Sequence, residues 1–305
     1  MKRHYVTRSL VSLVVLLCSG LSFAQTNNTF ARDWYNASQT EKNLDKKIEL
    51  LHKAVQADPQ FVQALFYLGQ TYKSRKDFVR AELYLSQAKD ASHLLRNEAD
   101  VFAIYFELAK TYIRTGNVVQ AEALLNETIA LKVDDELVAK AYFELGRLLF
   151  NESRYADALE VLKAGQQLDS AHKDFFTNLI VLSERSVRLD QLYAQAERHM
   201  QAGNAQQAKN IYAQIKLENP DFKDVMAKLA LVDSTLKEQM MQSTLSELYA
   251  QALRYEGEGD FALAIANYES ILQKSATYKD VETKLASARD KLRESQMTKM
   301  LSNHY

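Results

Sequence analysis

The residues best suited to chemistry in this chain are suited to recognition. An aromatic recurs at Phe66, Phe106, Phe143, Tyr193 and Tyr249, each after a bulky residue. Four positions on stand Gln70, Lys110, Arg147, Glu197 and Leu253. Four residues are about one helical turn, so each ring shares a helix face with its follower. The middle members therefore combine rings and cations: Phe106, Lys110, Arg114, Phe143 and Arg147. Rings anchor and cations set register, which suits an acidic, partly apolar segment of a protein partner. The plainer reading of the same slot is packing between helices, and both readings stand on the sequence alone.

Catalytic chemistry has much less support. The sequence has no phosphate-cradling glycine loop, no paired-histidine zinc helix and no nucleophile elbow. His52, His93, His172, His199 and His304 are scattered, and His199 occupies a slot that is tyrosine in three of the five units. Asp134-Asp135 and Glu256/Glu258 read as solvated turn residues. No metal, cofactor or catalytic residue is expected.

A repeated frame must position the stripe. A small residue is followed twelve positions later by alanine five times: Gly69/Ala81, Ala109/Ala121, Gly146/Ala158, Ala196/Ala208 and Ala252/Ala264. Large residues flank each pair at helical spacing, as in Ala81, Leu85, Ala88 and Ala264, Tyr268, Ile271. Such a frame predicts helix pairs in close contact at their small residues. Gly116, Gly203 and Gly259 fall in the turns between paired helices, where a left-handed residue ends a helix. Pro59 and Pro220 follow second helices by a few residues.

This frame resembles the tetratricopeptide repeat: bulky, Leu-Gly, Tyr, turn glycine, Ala, bulky, Ala and a closing proline. The best copy runs from Leu65 to Ala88, and the resemblance covers most of 61–272. It implies an all-α, right-handed solenoid of antiparallel helix pairs. It also implies that the aromatic stripe lines a concave face holding an extended peptide or a helix. Phenylalanine and lysine or arginine stand where the chaperone-tail-binding subclass has lysine and asparagine, so a terminal-carboxylate client is not expected.

Residues 25–60 read as a degenerate first repeat or cap, because Lys47 replaces the alanine. Three repeats follow in 61–170. In 171–305, two further hairpins are each followed by a long helix. There Leu192-Tyr193-Ala194-Gln195-Ala196 recurs 56 residues later as Leu248-Tyr249-Ala250-Gln251-Ala252, and Phe222-Lys223-Asp224-Val225 as Tyr278-Lys279-Asp280-Val281.

The first 24 residues read as a secretory leader, with Lys2, Arg3 and Arg8 before an apolar run and Ser22-Phe23-Ala24 before Gln25. Cleavage near Ala24 would export the chain to a periplasmic or secreted location. Cys18, the one cysteine, would leave with the leader, excluding disulfides and thiol chemistry. The 38 basic and 39 acidic residues give a net charge of −1, so no basic field for nucleic acid is expected. No further membrane segment is apparent.

The expected function is a non-catalytic protein-interaction scaffold of the bacterial cell envelope. Two alternatives rest on other features. The long C-terminal helices, near Met240, Met241, Met297 and Met300, could drive homo-oligomerisation. The last and weakest is a glycan-binding or hydrolytic accessory protein of the cell wall, since aromatic stripes also stack on sugars.

Overall fold

Small residues at the predicted spacing do bring helices together. The computed structural model describes residues 26–168 and 173–302, so the leader lies outside the described residues. Thirteen α-helices and one 3-10 turn make up the regular structure described. Two compact units divide between Val187 and Arg188.

The first unit contains α1 (Thr29–Thr40), α2 (Leu44–Ala57), α3 (Val62–Ser74), α4 (Phe78–Asp90), α5 (Glu98–Thr115), α6 (Val118–Ile129), α7 (Asp135–Asn151) and α8 (Tyr155–Leu168). Successive helices pair as antiparallel hairpins, and each hairpin packs on the next. Helix α9 (Lys173–Gln201) runs across the unit boundary. The second unit continues with α10 (Ala205–Glu218), α11 (Val225–Glu258), α12 (Phe261–Lys274) and α13 (Val281–Ser302). The chain is thus an all-α, tetratricopeptide-type repeat fold whose C-terminal half uses longer helices.

Every member of the five small pairs is buried: Gly69 and Ala81, Ala109 and Ala121, Gly146 and Ala158, Ala196 and Ala208, Ala252 and Ala264. A Cβ on Gly69 would sit 2.6 Å from Leu85 Cγ, and one on Gly146 would sit 2.5 Å from Leu162 Cγ. Real Cβ atoms do not approach so closely, so glycine sets the spacing of these two hairpins. Ala121 of α6 and Ala158 of α8 lie in the core that also holds Leu125 and Leu162. Both alanines are 0% exposed, so neither offers any surface to a partner. They belong to the scaffold alone.

The turns inside the five small-pair hairpins share one geometry. A residue with positive φ sits five places before the alanine: Lys76 (64°), Gly116 (79°), Ser153 (61°), Gly203 (77°) and Gly259 (80°). The next N–H then donates back to the helix, as from Asn117 to Tyr112 O at 2.9 Å and from Asp260 to Tyr255 O at 2.9 Å. This is a Schellman closure, which satisfies an end carbonyl at the cost of a left-handed residue. Lys76 and Ser153 adopt the conformation without glycine's freedom. Lys76→Gly and Ser153→Gly should therefore each stabilise the first unit by about 0.5–1 kcal/mol. Urea denaturation checks this, and an unchanged or lower midpoint would contradict it.

The longest helix, α11, buries one face early and the opposite face late. Val225 and Val232 are buried in its first half, Leu245 and Ala252 in its second. The 13 positions from Val232 to Leu245 span about 3.6 turns, which places them on opposite sides of the helix. Between them, residues 237–244 are exposed throughout. No single apolar stripe runs along α11 because it serves two clusters in turn.

Candidate protein-interaction surface

The expected stripe divides into core and surface. Phe66 is 1% exposed, and its ring lies edge-on to Tyr67 at 5.6 Å. It cannot act as an anchor for a partner. Helix α3 is covered by α2, α4 and α5, so the ring that opens its repeat is a core residue. Gln70, one turn on, is half-buried.

The second repeat of the stripe is more open. Phe106 is half-buried and stacks on Phe102, with centroids 5.4 Å apart. Lys110 Nζ lies 5.0 Å from the Phe106 ring centroid and 3.0 Å from Glu107 Oε1. The buried Glu107 also pairs with Lys73 of α3, tying α3 to α5. Arg114, one turn beyond Lys110, is exposed. In α7, Phe143 meets the edge of Phe176 at 5.5 Å, and Arg147 Nε donates to Glu144 Oε2 at 3.0 Å. Phe143 thus serves packing, whereas the Arg147 guanidinium remains partly accessible. The second helices of these two repeats stay behind the surface, because Ala121 and Ala158 are sealed against their partner helices.

Sequence reasoning found the cations and missed the acids that orient them. Glu107 and Glu144 stand three residues before Lys110 and Arg147, an i,i+3 spacing that could have revealed both pairs. Burial opposes ionisation of Glu107, but Lys110 and Lys73 outweigh it and hold the carboxyl below its ordinary value of 4.5. Burial is also the largest influence on Lys73, holding its ammonium below the usual lysine value despite Glu107.

A depressed carboxyl adds stability above its unfolded value and loses it as pH falls through its folded value. Glu107→Gln should accordingly cost about 1–3 kcal/mol at pH 7. That difference should shrink as pH falls below the ordinary glutamate value of 4.5, as read by denaturation at pH 7 and in acid. A gap that stays constant would contradict the assignment.

In the second unit the stripe aromatics are tied into duplicated clasps. Tyr193 O–H donates to Asp224 Oδ1, and Tyr249 O–H to Asp280 Oδ1 at 2.5 Å. Their rings meet Tyr212 and Tyr268 edge-on at 5.6 and 6.3 Å. Lys223 and Lys279 lie over the Tyr193 and Tyr249 rings, 4.9 and 4.3 Å from their centroids, both from residues with φ of 47°. Hydrogen bonding to Asp280, reinforced by burial, pushes the Tyr249 phenol up to about 12.

Tyr212 and Tyr268 donate in turn to Glu197 and Glu256. Glu197 would map onto Leu253 at the 56-residue offset, so the second clasp takes its acid three residues later. The recurring Lys-Asp pair was visible in sequence. Its contact with the recurring tyrosine was not, because the two lie 31 residues apart.

The described residues contain no group of three or more His, Cys, Asp or Glu able to hold a metal ion. No described helix is long and apolar enough to cross a membrane. His199 contributes its carbonyl to the turn, accepting from Asn204 N–H at 2.8 Å.

Hairpins closed at small residues define a helical-repeat fold, and part of the chain is similar to known repeat proteins. Residues 106–172 match the tetratricopeptide repeat family model. ALBINO3-like protein 3, mitochondrial, of Arabidopsis thaliana is 30% identical over 129 residues, covering 39% of this chain and 23% of that protein. Protein O-mannosyl-transferase TMTC3 of Mus musculus is 23% identical over 176 residues, covering 53% of this chain and 19% of that protein. The chain therefore spans about a fifth of the length of these curated relatives.

Among solved structures, MamA gives a TM-score of 0.46 at 19% identity, covering 63% of this chain and 94% of that chain. YrrB, described as a TPR protein with an unusual peptide-binding site, gives 0.39 at 18% identity, covering 65% and 90%.

Proposed function

We propose that this chain is a non-catalytic protein-interaction scaffold of the bacterial cell envelope, exported by its N-terminal leader. It holds an acidic, partly apolar partner segment against α5 and α7. Helical repeats of this type commonly present such surfaces to protein partners. The observation that carries the reading is the Phe106 ring with Lys110 beside it and the exposed Arg114 one turn further. Glu107 and Glu144 hold Lys110 and Arg147 in place, which lowers the ordering cost on binding.

The test is a pull-down after crosslinking in the native envelope. Phe106→Ala, Arg114→Ala and Arg147→Ala combined should reduce partner capture at least tenfold, with helical circular dichroism and melting temperature nearly unchanged. Undiminished capture would refute the surface. Envelope location is tested separately, by fractionation and by the mass of the N-terminal peptide. A chain found in the cytosol with its leader intact would remove that part of the reading.

A further inference from the structure

The 56-residue duplication carries a difference as well as a likeness. In its first copy, four charged residues of the second unit pair off. Arg188 of α9 donates from Nη1 to Oε1 of Glu218, at the end of α10, at 2.8 Å. Asp190 of α9 forms an ion pair with Lys223 in the turn before α11, and its Oδ1 is buried there. Two cations meet two anions, so the set is neutral.

The second copy keeps the frame and drops the acids. Leu189 and Leu245 are each 1% exposed, and Tyr193 and Tyr249 donate to Asp224 and Asp280 alike. The register is therefore the same. It sets Thr244, Ser246, Lys274 and Lys279 where Arg188, Asp190, Glu218 and Lys223 stand. Two lysines now accompany two neutral residues, and all four are exposed. Among the described residues, neither Lys274 nor Lys279 makes an ion pair. The carbonyl end of α12 compensates Lys274 in part. Lys279 has Asp280 beside it, but Tyr249 engages that carboxylate as Tyr193 engages Asp224, so the place of Asp190 is left unfilled.

Lys279 is nonetheless held. Its Nζ lies 4.3 Å from the Tyr249 ring centroid and 5.2 Å from that of Tyr278, as Lys223 lies over Tyr193 and Phe222. The first copy shows what such a ring-backed ammonium takes: an aspartate side chain from another element. We propose that Lys279, with Lys274, is a docking site for an acidic segment of a partner protein. One carboxylate of that segment occupies the place that Asp190 fills in the first copy, beside Ser246, and a second pairs with Lys274. The two rings restrict the ammonium beforehand, which lowers the ordering cost on binding. The site uses none of the residues proposed on α5 and α7, so either can fail without the other.

A labelled hexa-aspartate peptide serves as the probe, read by fluorescence anisotropy at low salt, where exposed ion pairs are least screened. It is titrated into the full chain carrying Phe106→Ala, Arg114→Ala and Arg147→Ala, so that binding on α5 and α7 does not mask the result. Saturable binding is expected. Lys274→Gln with Lys279→Gln should weaken it at least tenfold, with the helical signal and melting temperature unchanged because both side chains are exposed. Ser246→Asp supplies the missing acid from within the chain and should weaken it at least fivefold. Gln239→Asp adds the same charge about two turns earlier in α11 and should change it less than twofold. Equal affinity for the lysine double variant, or no saturable binding up to millimolar peptide, would overturn the proposal. So would equal losses from Ser246→Asp and Gln239→Asp, which would show a general charge effect. Tighter binding of phosphatidylglycerol vesicles or oligothymidylate, lost in the same lysine variant, would overturn it too, since phosphate would then be the ligand.

Discussion

Tyr212→Ala should cost about 3–5 kcal/mol and melt the packing among the C-terminal half of α9, α10 and the first half of α11. The ring is fully buried, and its hydroxyl donates to Glu197, which Lys228 also holds at 3.1 Å. Removing the ring leaves a cavity and takes a hydrogen bond from a half-buried carboxylate. Tyr212→Phe keeps the volume and should cost only about 1–2 kcal/mol.

Repeat proteins unfold in parts, so one global midpoint is a poor readout. Amide exchange is the better measurement, with protection lost in α10 and retained in α3 to α6. Protection lost equally in both units would show that the clusters do not behave separately. The duplicated clasp makes a matching forecast for Tyr268→Ala, with the loss centred on α12.

Gly146→Leu should lower stability by about 2–3 kcal/mol. The Cβ alone would meet three atoms of Leu162, at 2.5, 2.6 and 3.3 Å, and Leu162 is fully buried with no room to retreat. The contrast is Gly257, also helical but with nothing within 4 Å of its imagined Cβ. There alanine should gain up to about 1 kcal/mol from helix propensity alone. Chemical denaturation of both variants distinguishes close contact from intrinsic preference. A neutral Gly146→Leu would mean that the hairpin can open at its crossing without penalty.

The helix pairs were legible because their contact residues are small and stand at a fixed distance in the chain. Gly69/Ala81 and Ala252/Ala264 carry the same signal at opposite ends of the repeat region, and both pairs are buried. Ala121 and Ala158 carry it in the middle, where full burial confines them to packing. Turn geometry was legible where glycine marked it. At Lys76 and Ser153 it was not, because the backbone takes a left-handed turn that neither side chain advertises.

The candidate surface was harder to read. Phe66 and Phe106 occupy equivalent slots, yet one is buried and the other half-open, since burial depends on which helices cover a slot. Exposure of that kind belongs to neighbours distant in sequence. The opposed faces of α11 were hidden for a related reason. Each half keeps its own helical period, and only the phase between them changes.

The bare stretch of α11 works as an adjustable spacer. Residues 237–244 touch neither cluster's core, so their number sets only the rotation and offset between the upstream and downstream clusters. One residue added there would advance the second cluster by about 1.5 Å and swing it through about 100°. Both clusters would keep their composition. Evolution, or a designer, could thus re-aim everything displayed by α12 and α13 with a single codon.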